Sequence, residues 1–528
     1  MAANSSPVVI SGAGPVGLAL AVGLAHHGIR SLVLEDDPAL SRHSKAPGIH
    51  ARTLEVFRAW GVIDRFMAEG EFLRQPQLWV AGMSEPQATV DLSVLADRTA
   101  YPGVMLLPQD RTEALLYERL KELGMSEVRF GHRLTSFEAG PAGVTVEVAP
   151  PSGASYRLDA EYLVGCDGAH SMVRECLGWH LEGKTYPSRF MLADVRLHDE
   201  RAELPWPRMA PVPRGLLVGL RLQPQLWRII ATVLPKLDEA HALAPEQIDR
   251  HVTALFGPGP FEEVWKSLFH VHCRTSPHFR LGRVLLAGDA AHLNSPAGGQ
   301  GMNSGIHDAH NLAWKLARAL SGGNADALLD SYEAERRPAI LTGVDRYTDL
   351  LTRAVLWPMP RTRSALAKVV RRALAHPAFV SRVAPRATML DVHYEHSPLL
   401  SGQGPWIGAR APDGELRDAD GQGRRLLDLA GREAALLLFD DHRLPAWDRG
   451  AIARRLHDLP GLTVHVVLPT DQTAGPGEWR DATGALWNAW RASGSTAALV
   501  RPDGHVGWMA ERPSESELVN GIRQALGG

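Results

Sequence analysis

The sequence of 528 residues has little cysteine and no excess of charge of one sign. Its three thiols, Cys166, Cys176 and Cys273, include no CxxC pair and are too few for a disulfide framework, so we predict a reducing, cytoplasmic location. The 56 Lys and Arg residues are matched by 59 Asp and Glu residues, which gives a formal net charge of −3. This balance argues against nucleic acid or an anionic membrane surface as a partner.

Membrane-spanning runs and metal-ligand patterns are also lacking. An apolar stretch covers residues 8–25, but five of its positions are glycine or proline and no basic leader precedes it. We therefore expect neither a signal peptide nor a membrane span. There is no HExxH motif or zinc-type cysteine spacing, and we predict no metal site. The length predicts about three domains, at roughly 100–200 residues each.

A first glycine motif, at residues 12–17, has the setting that dinucleotide binding requires. An apolar run precedes it, a helical pattern follows it, and Glu35 ends the next strand-like segment 18 positions after Gly17. Gly12 permits a tight turn, Gly14 lets a pyrophosphate approach the backbone, and Gly17 allows close helix packing. With Pro15 and Val16 completing the motif, the helix N-terminus would face the phosphates, and Glu35 would bind ribose hydroxyls. The motif leaves open whether the dinucleotide is FAD or NAD.

A second glycine-rich segment follows a buried strand-like run at residues 284–287. It begins with Gly288 and Asp289, whose carboxylate can hold a ribityl or ribose hydroxyl. The glycines at 298, 299 and 301 would allow backbone contact with a flat ring that a side chain would block. The N-terminus of the long helix that follows could face the pyrimidine end of a flavin, where negative charge gathers on reduction. The next residue of interest, His292, is either near this ring or simply packed.

This segment resembles the GD motif of the group A flavoprotein monooxygenases, which include p-hydroxybenzoate hydroxylase, phenol hydroxylase and hydroxylases that tailor aromatic polyketides. The resemblance covers Gly288, Asp289, Pro296, Gly299, Gly301 and Asn303, with Met302 among them. Together with the first glycine motif, it implies one FAD held at both ends. It also implies that no protein nucleophile is needed, because the flavin carries the redox chemistry.

The resemblance implies an α/β fold in three parts. A Rossmann-like, GR2-type FAD-binding domain would comprise residues 1–185 and 273–395, interrupted by an antiparallel β-sheet substrate domain at 186–272. Alternating apolar segments at 215–222 and 226–234 agree with such a sheet. Residues 400–528 would form a thioredoxin-like α/β domain, with strands at 434–439, 462–468 and 497–500 and a closing helix after a capping box at Ser514 and Glu517.

Residues 164–174 resemble the DG motif of the same family. Asp167 and Gly168 would form a turn, and Arg174 could meet pyrophosphate charge. The resemblance implies that this stretch serves FAD and a transient NADPH or NADH. Since no second GxGxxG unit occurs, we expect the nicotinamide to visit the flavin without a Rossmann domain of its own. The alternative is that Arg174 is a surface residue beside a turn.

Further flavin contacts are implied only by position in the family. Gln109 and Arg111 begin a helix where relatives have a flavin-contacting residue, and Arg42, Lys45 and Arg52 compete for a basic position near the FAD. Arg52 is the candidate catalytic residue, because it could reach the isoalloxazine. Simple surface charge is the alternative for all of these side chains.

The reaction that the resemblance implies requires a pocket that excludes water, and we expect the middle domain to form it. Hydride passes from NAD(P)H to the flavin, reduced flavin and O2 give a C4a-hydroperoxide, and an electron-rich phenolic ring attacks it. A pocket that excludes water is needed to prevent loss of H2O2. Candidates for its walls, each of which could equally be ordinary core, are Phe190, Met191, Trp206, Met209 and Trp227.

We therefore expect an FAD-dependent, NAD(P)H- and O2-consuming monooxygenase that hydroxylates a phenolic or polycyclic, polyketide-type substrate. Baeyer–Villiger oxidation or epoxidation on the same scaffold is the first alternative, and a flavin-binding dehydrogenase or non-catalytic flavoprotein is the second. The C-terminal segment resembles the third domain of larger family members but has no cysteine, so dithiol chemistry is excluded. The roles that remain for this C-terminal segment are structural cover and self-association. We expect the protein to be a monomer or a homodimer.

Overall fold

The computed structural model describes residues 5–41, 46–212, 215–233, 236–296, 298–355, 372–442, 447–456 and 459–528. Within these ranges the strands form three eight-stranded sheets and one three-stranded sheet. The mixed α/β class predicted from the sequence is confirmed. Among the described helices, none combines the length and the apolar character needed to cross a lipid bilayer.

The strands, in chain order, are β1 (Ser5–Ser11), β2 (Ser31–Glu35), β3 (Gly48–His50), β4 (Glu71–Leu73), β5 (Gln77–Val80), β6 (Ala88–Thr89), β7 (Val104–Leu106), β8 (Ser126–Phe130), β9 (Arg133–Gly140), β10 (Gly143–Ala149), β11 (Tyr156–Gly165), β12 (Glu182–Arg196), β13 (Arg208–Met209), β14 (Leu217–Gln223), β15 (Leu226–Val233), β16 (Glu262–Thr275), β17 (Arg280–Leu281), β18 (Val284–Leu286), β19 (His292–Leu293), β20 (Ser401–Gly402), β21 (Glu415–Arg417), β22 (Gly423–Arg425), β23 (Ala434–Phe439), β24 (Leu462–Leu468), β25 (Glu478–Asp481), β26 (Thr496–Val500) and β27 (Val506–Glu511).

The helices are α1 (Pro15–His26), α2 (Ala51–Ala59), α3 (Ile63–Glu69), α4 (Gln109–Leu123), α5 (Met172–Cys176), α6 (Glu239–Ala242), α7 (Pro245–Phe256), α8 (Gly301–Leu320), α9 (Ala325–Pro338), α10 (Asp345–Val355), α11 (Pro377–Ala387), α12 (Arg449–Leu456), α13 (Ala485–Trp490) and α14 (Glu515–Ala525). Short 3-10 turns include Gly288–Ala290, and a π-helical segment covers Ala339–Val344.

The first sheet carries the predicted N-terminal β–turn–α–β unit. Its order is β17-β18-β11-β1-β2-β8, and β1 runs parallel to both β2 and β11. The central strands are apolar runs buried on both faces, as parallel strands covered by helices must be. Because β18 follows β12 to β16, which belong to the second sheet, the chain leaves this first sheet and later returns to it. The return brings the two glycine-rich segments to one sheet edge.

The second sheet has the order β19-β16-β12-β15-β14-β13-β5-β6 and is antiparallel, as predicted, except for the parallel pair β13 and β5. It extends beyond the predicted limits of 186–272, because β12 begins at Glu182, β16 ends at Thr275, and β5, β6 and β19 join from other parts of the chain. Pairing between distant segments leaves no local signal in the sequence, so these additions could not be predicted. One face of the sheet packs on α7.

The third sheet lies in the C-terminal part and has the order β20-β27-β26-β23-β24-β25-β21-β22. Strands β23 and β24 coincide with the predicted strands, and β26 is one residue longer than predicted. Helix α14 begins at the predicted capping box, in which the Ser514 N–H donates to Glu517 Oε2 at 2.8 Å. Clusters of apolar side chains cover both faces of this sheet. The thioredoxin-like relationship stays a prediction.

Candidate flavin site

The turn at residues 12–17 contains two glycines that the fold itself requires, and a third, Gly14, at which a side chain would have room. Gly12 has φ +101°, and a Cβ there would lie 2.5 Å from the carbonyl oxygen of Cys166. A Cβ on Gly17 would overlap the carbonyl oxygen of Gly12, whereas a Cβ on Gly14 would meet nothing within 4 Å. Helix α1 begins directly behind Gly14, with no side-chain cap and no acidic residue in its first turn. The N–H groups of this turn therefore suit an anion.

Glu35 lies beside this turn, at the end of β2. Its Oε2 accepts a hydrogen bond from the Ala13 N–H at 2.5 Å, and its Oε1 accepts one from the Asp37 N–H at 3.0 Å. Each carboxylate oxygen has a further lone pair, so both can still accept a hydroxyl. The two N–H contacts fix the carboxylate where a ribose beside the turn would meet it.

The segment that resembles the DG motif contains a buried carboxylate. Asp167 Oδ2 accepts a hydrogen bond from the Val173 N–H at 3.1 Å, while its buried Oδ1 has no partner in the described part of the chain. Burial raises the pKa of the Asp167 carboxyl. Gly168, at φ +78°, has open space where a side chain would be. An unsatisfied buried acceptor of this kind suits a hydroxyl donor from a bound molecule.

Arg174 connects the DG turn to the GD turn. It is buried, and its guanidinium donates to the carbonyl oxygens of Ala290 at 3.0 Å and Ala169 at 2.9 Å. Both bonds are internal to the protein, so in this structure the side chain fixes two turns relative to each other. Its contact with pyrophosphate stays a prediction.

The GD turn packs directly against the first glycine motif. Gly288 has φ +61°, and a Cβ there would lie 2.7 Å from Val16 Cγ2, in the first turn of α1. The Asp289 side chain is exposed, although its neighbours Gly288 and Ala290 are buried. Two motifs that are far apart in sequence thus meet, with an exposed carboxylate beside them, as one elongated dinucleotide would require.

A buried group of three side chains supports the GD turn, and the sequence did not single out two of them. Asp308 Oδ2 accepts the Gly288 N–H at 3.1 Å and lies 2.7 Å from His292 Nε2, while Arg336 Nε donates to Asp308 Oδ1 at 2.7 Å. Burial opposes the charge on His292, but the Asp308 carboxylate outweighs burial and raises the pKa of the imidazole. His292 is therefore buried and packed beneath the GD turn, and its nearness to the flavin ring stays a prediction.

The start of α8 is held by Asn303. Its Nδ2 donates to the carbonyl oxygens of Gly48 and Gly299, both at 2.9 Å, and its Oδ1 accepts the His50 N–H at 2.9 Å and the Thr53 hydroxyl at 2.7 Å. The amide thus joins the glycine turn to β3 and α2. Within the turn, Gly299 has φ +64°, and a Cβ on Gly301 would meet nothing within 4 Å. Helix α8 has no side-chain cap, so its first N–H groups also suit a polar ligand.

The remaining predicted cofactor residues lie in varied surroundings. Pro296 is exposed and Met302 is buried at the start of α8. Gln109 Nε2 donates to Glu113 Oε1 at 2.9 Å, and Arg111 forms an exposed two-bond ion pair with Glu69. Arg42 and Lys45 lie outside the described residues.

Arg52, the predicted catalytic residue, is buried in α2. Its NH1 donates to Glu55 Oε2 at 2.9 Å, and its NH2 donates to the carbonyl oxygen of Asp503. The second of these contacts joins α2 to the turn between β26 and β27 in the C-terminal part. No group of three or more His, Cys, Asp and Glu side chains suited to a metal ion occurs in the ranges that the structure describes.

The five predicted wall residues divide between the two faces of the second sheet. Met191, Trp206 and Trp227 belong to the hydrophobic cluster that packs this sheet on α7. Because successive strand residues point to opposite faces, Phe190 next to Met191 lies on the other side. Phe190 pairs with Phe269, and Met209 pairs with Val218.

We call this other side the second face; its apolar residues are Phe190, Leu192, Met209, Val218, Ile230 and Phe269, and the buried ion pair of Asp194 and Arg228 lies on it beside them. These apolar side chains are buried or half-buried, yet none belongs to the cluster on α7. Along β16 the same face continues from Phe269 to Thr275, and Thr275 pairs with His292, three residues after Asp289. An apolar sheet face therefore leads directly to the GD turn.

Comparison with known proteins defines the class of this chain. Residues 5–346 match the family described as FAD binding domain, and residues 404–528 match the family described as aromatic-ring hydroxylase, C-terminal. The chain belongs to the FAD-dependent aromatic-ring hydroxylases. It is a flavoprotein monooxygenase, with a reduced nicotinamide and O2 as co-substrates.

Similar proteins include several that act on polycyclic compounds. The chain is 35% identical to the 12-dehydrotetracycline 5-monooxygenase/anhydrotetracycline 6-monooxygenase of Streptomyces rimosus, with 98% of each chain covered. It is 30% identical to the rifampicin monooxygenase of Streptomyces venezuelae, with 96% of each covered. Among solved structures, the complex of aklavinone-11 hydroxylase with FAD and aklavinone has a TM-score of 0.83 at 26% identity, with 100% of both chains covered.

Proposed function

We propose that this monooxygenase hydroxylates a phenolic ring of a polycyclic, polyketide-type compound that lies against the second face. The continuity of this apolar face with the GD turn carries the proposal. The similar enzymes named for tetracycline-type compounds and for aklavinone support the same substrate class. Baeyer–Villiger oxidation of such a compound is the alternative that the experiment below separates.

The FAD would extend from the first glycine turn to the start of α8. Its pyrophosphate would lie over Gly14, where a side chain is missing and the N–H groups of α1 are uncapped. Glu35 and Asp289 would bind its hydroxyls, and the turn at 298–301 would support the ring by backbone contact. When bound, FAD supplies the redox chemistry that links nicotinamide oxidation to oxygen transfer.

The second face would bind the substrate by shape and by exclusion of water. Its aromatic pair, Phe190 and Phe269, has ring centroids 6.2 Å apart with an angle of 25° between the planes, a nearly parallel arrangement. Such a flat apolar surface suits fused aromatic rings better than a small phenol, because more apolar area is removed from water. An apolar wall beside the flavin would also keep water from the reacting atoms.

Three of the five residues predicted as pocket walls, Met191, Trp206 and Trp227, instead pack the sheet on α7 beneath this face. Trp227 packs edge-on against Phe256 of α7, with centroids 4.8 Å apart, and its indole N–H donates to the Ala202 carbonyl oxygen at 3.3 Å. We therefore assign Met191 and Trp227 to support of the sheet, and Phe190 and Met209 to the substrate.

The experiment compares polycyclic with monocyclic phenols. The purified protein is assayed for NADPH and NADH oxidation and O2 uptake with linear and angular fused-ring phenols, and with phenol and p-hydroxybenzoate as small-ring controls. We expect stimulation by polycycles and a product that carries a new ring hydroxyl. Stimulation by the monocyclic compounds alone would refute the substrate class. An oxygen inserted into the ring as an ester, identified by NMR, would instead establish Baeyer–Villiger chemistry.

A further inference from the structure

A buried polar network joins the C-terminal sheet to the helices of the flavin site. Its centre is Asp503, in the turn between β26 and β27. Asp503 Oδ2 accepts hydrogen bonds from Asn311 Nδ2 of α8 at 2.9 Å and from Arg501 at 2.6 Å. The backbone carbonyl of Asp503 accepts a bond from Arg52 of α2. One turn of the C-terminal part therefore contacts two helices of the flavin-binding part.

Arg501 makes a second connection, to α9. Its guanidinium donates to both oxygens of Glu335, at 2.6 and 2.9 Å, and Lys315 Nζ donates to the same carboxylate at 2.7 Å. The side chains of Arg501, Glu335 and Lys315 are all 0% exposed. Charges this deeply buried are retained only with excellent geometry, because each loses its hydration. The two parts of the chain are therefore fixed in one relative position.

A third connection holds the other side of Arg52. Glu55, one turn further along α2, accepts Arg410 Nε of the C-terminal part at 2.8 Å and Arg52 NH1 at 2.9 Å. It also accepts the Thr99 hydroxyl at 2.6 Å. The first turn of α2 is thus bound by the C-terminal part at Arg52, through Asp503, and at Glu55, through Arg410.

The same helix turn holds the start of α8. His50 and Thr53, on either side of Arg52, donate to Asn303 Oδ1. Helix α8 is therefore held at Asn303 by α2 and, eight residues further along, at Asn311 by Asp503. Asp503 binds Asn311 through its side chain, and through its backbone carbonyl it binds Arg52, which lies between His50 and Thr53 in the chain.

We propose that Asp503 is a positioning residue for the flavin site, holding α2 and α8 so that the turn at 298–303 fits the flavin. This inference rests on the proposed location of the FAD. Arg52 then acts through its neighbours His50 and Thr53, and the C-terminal domain contributes to FAD binding through its contacts with α2 and α8. A network that only joined two domains would affect stability and leave FAD affinity unchanged.

The first test compares two buried carboxylates of the C-terminal domain. Asp481 is 0% exposed and accepts N–H bonds from Thr483, Gly484 and Trp487, all within its own domain. Asp503→Asn and Asp481→Asn therefore remove the same charge from equally buried sites. FAD affinity of the two apoproteins is measured by flavin fluorescence quenching, at a temperature at which both are folded.

We expect Asp503→Asn to weaken FAD binding by about 5- to 150-fold, the usual range for coupling between two sites. Asp481→Asn should bind FAD as the wild type does, even if it melts at a lower temperature. Equal FAD affinity in Asp503→Asn and the wild type would overturn the inference. Wild-type protein that binds no FAD would instead refute the proposed function.

A second measurement needs no variant and covers the case in which Asp503→Asn does not fold. Coupling is reciprocal, so FAD must stabilise the turn that stabilises its site. Hydrogen exchange of wild-type protein is compared with and without FAD, at the amides of Arg501, Gly504 and His505, which are bonded within the turn. We expect slower exchange there with FAD and no change at residues 483–487. Equal exchange in both states would contradict the inference.

Discussion

The variant Gly14→Ala should lose affinity for FAD while the stability of the folded apoprotein hardly changes. A methyl group at Gly14 meets no protein atom within 4 Å, and the backbone there has φ −69°, which alanine adopts readily. Loss of chain flexibility in the unfolded state stabilises such a variant by about 0.4–1 kcal/mol, while alanine as a helix N-cap costs a similar amount. The apoprotein should therefore unfold within about 1 kcal/mol of the wild type.

FAD binding should respond very differently. The methyl group would occupy the space over the uncapped N–H groups of α1, where we expect the pyrophosphate. Loss of two hydrogen bonds to a charged group, at about 1.5–3 kcal/mol each, weakens binding by about 10²- to 10⁴-fold. Isothermal titration of the apoprotein with FAD measures this loss directly.

Gly17→Ala is the matched control at the same turn. Its Cβ would overlap the carbonyl oxygen of Gly12, so it should destabilise the apoprotein itself by about 1–3 kcal/mol or more. Urea unfolding of both apoproteins distinguishes the two effects. A Gly14→Ala variant that binds FAD with wild-type affinity would show that the phosphates do not lie over this residue.

Three further predictions follow from burial and charge. Asp308→Asn leaves the buried guanidinium of Arg336 without its full counter-charge and should lower the free energy of unfolding in urea by about 3–5 kcal/mol. Glu69→Gln, which breaks the exposed ion pair with Arg111, should lower it by less than about 1 kcal/mol. Equal losses in the two variants would contradict the burial of the Asp308 pair. Phe190→Ala should raise the KM for a polycyclic substrate and divert NAD(P)H oxidation to H2O2. Met191→Ala should lower the free energy of unfolding by about 2–5 kcal/mol with little change in KM. The reverse pattern would show that the two faces of the second sheet are misassigned. Burial, with the charges of nearby arginines, lowers the pKa of His26 from 6.5 to about 4, so its contribution to stability is full above pH 6.5 and is lost as the pH falls through about 4. His26→Gln should therefore flatten the fall in melting temperature across this window, and an unchanged slope would exclude His26 as its source.

Arg52 illustrates where prediction from the sequence was limited. Its candidate catalytic role came from the position of a basic residue in the resembled family and stays a prediction, and nothing local indicated its partners. Those partners include Asp503, which is 451 positions away in the chain. The same holds for Asp308, whose role beneath the GD turn depends on contacts with a turn that precedes its own helix. Side chains whose role is set by distant partners leave no periodic or motif signal.

The middle sheet shows the same limit at the level of a single strand. Its apolar character and antiparallel form were predictable from alternation, but adjacent residues such as Phe190 and Met191 are equally apolar. Which of them faces α7 and which lies on the opposite face depends on the position of that helix relative to the sheet. Alternation gives two faces and does not say which one is covered.

The sequence by itself determined the two glycine turns, because their backbone geometry requires glycine at fixed spacings, and it determined the family and the FAD cofactor through the resemblance of these motifs to those of known flavoproteins. It also determined the main strands of the C-terminal domain, since an unbroken apolar run between turn residues has few other structures available. Only the tertiary structure decided which residues of the second sheet pack on α7, what supports the GD turn, and how the C-terminal domain meets α2 and α8. Each of those outcomes is a contact between segments far apart in the chain, and its energy depends on burial that exists only after folding.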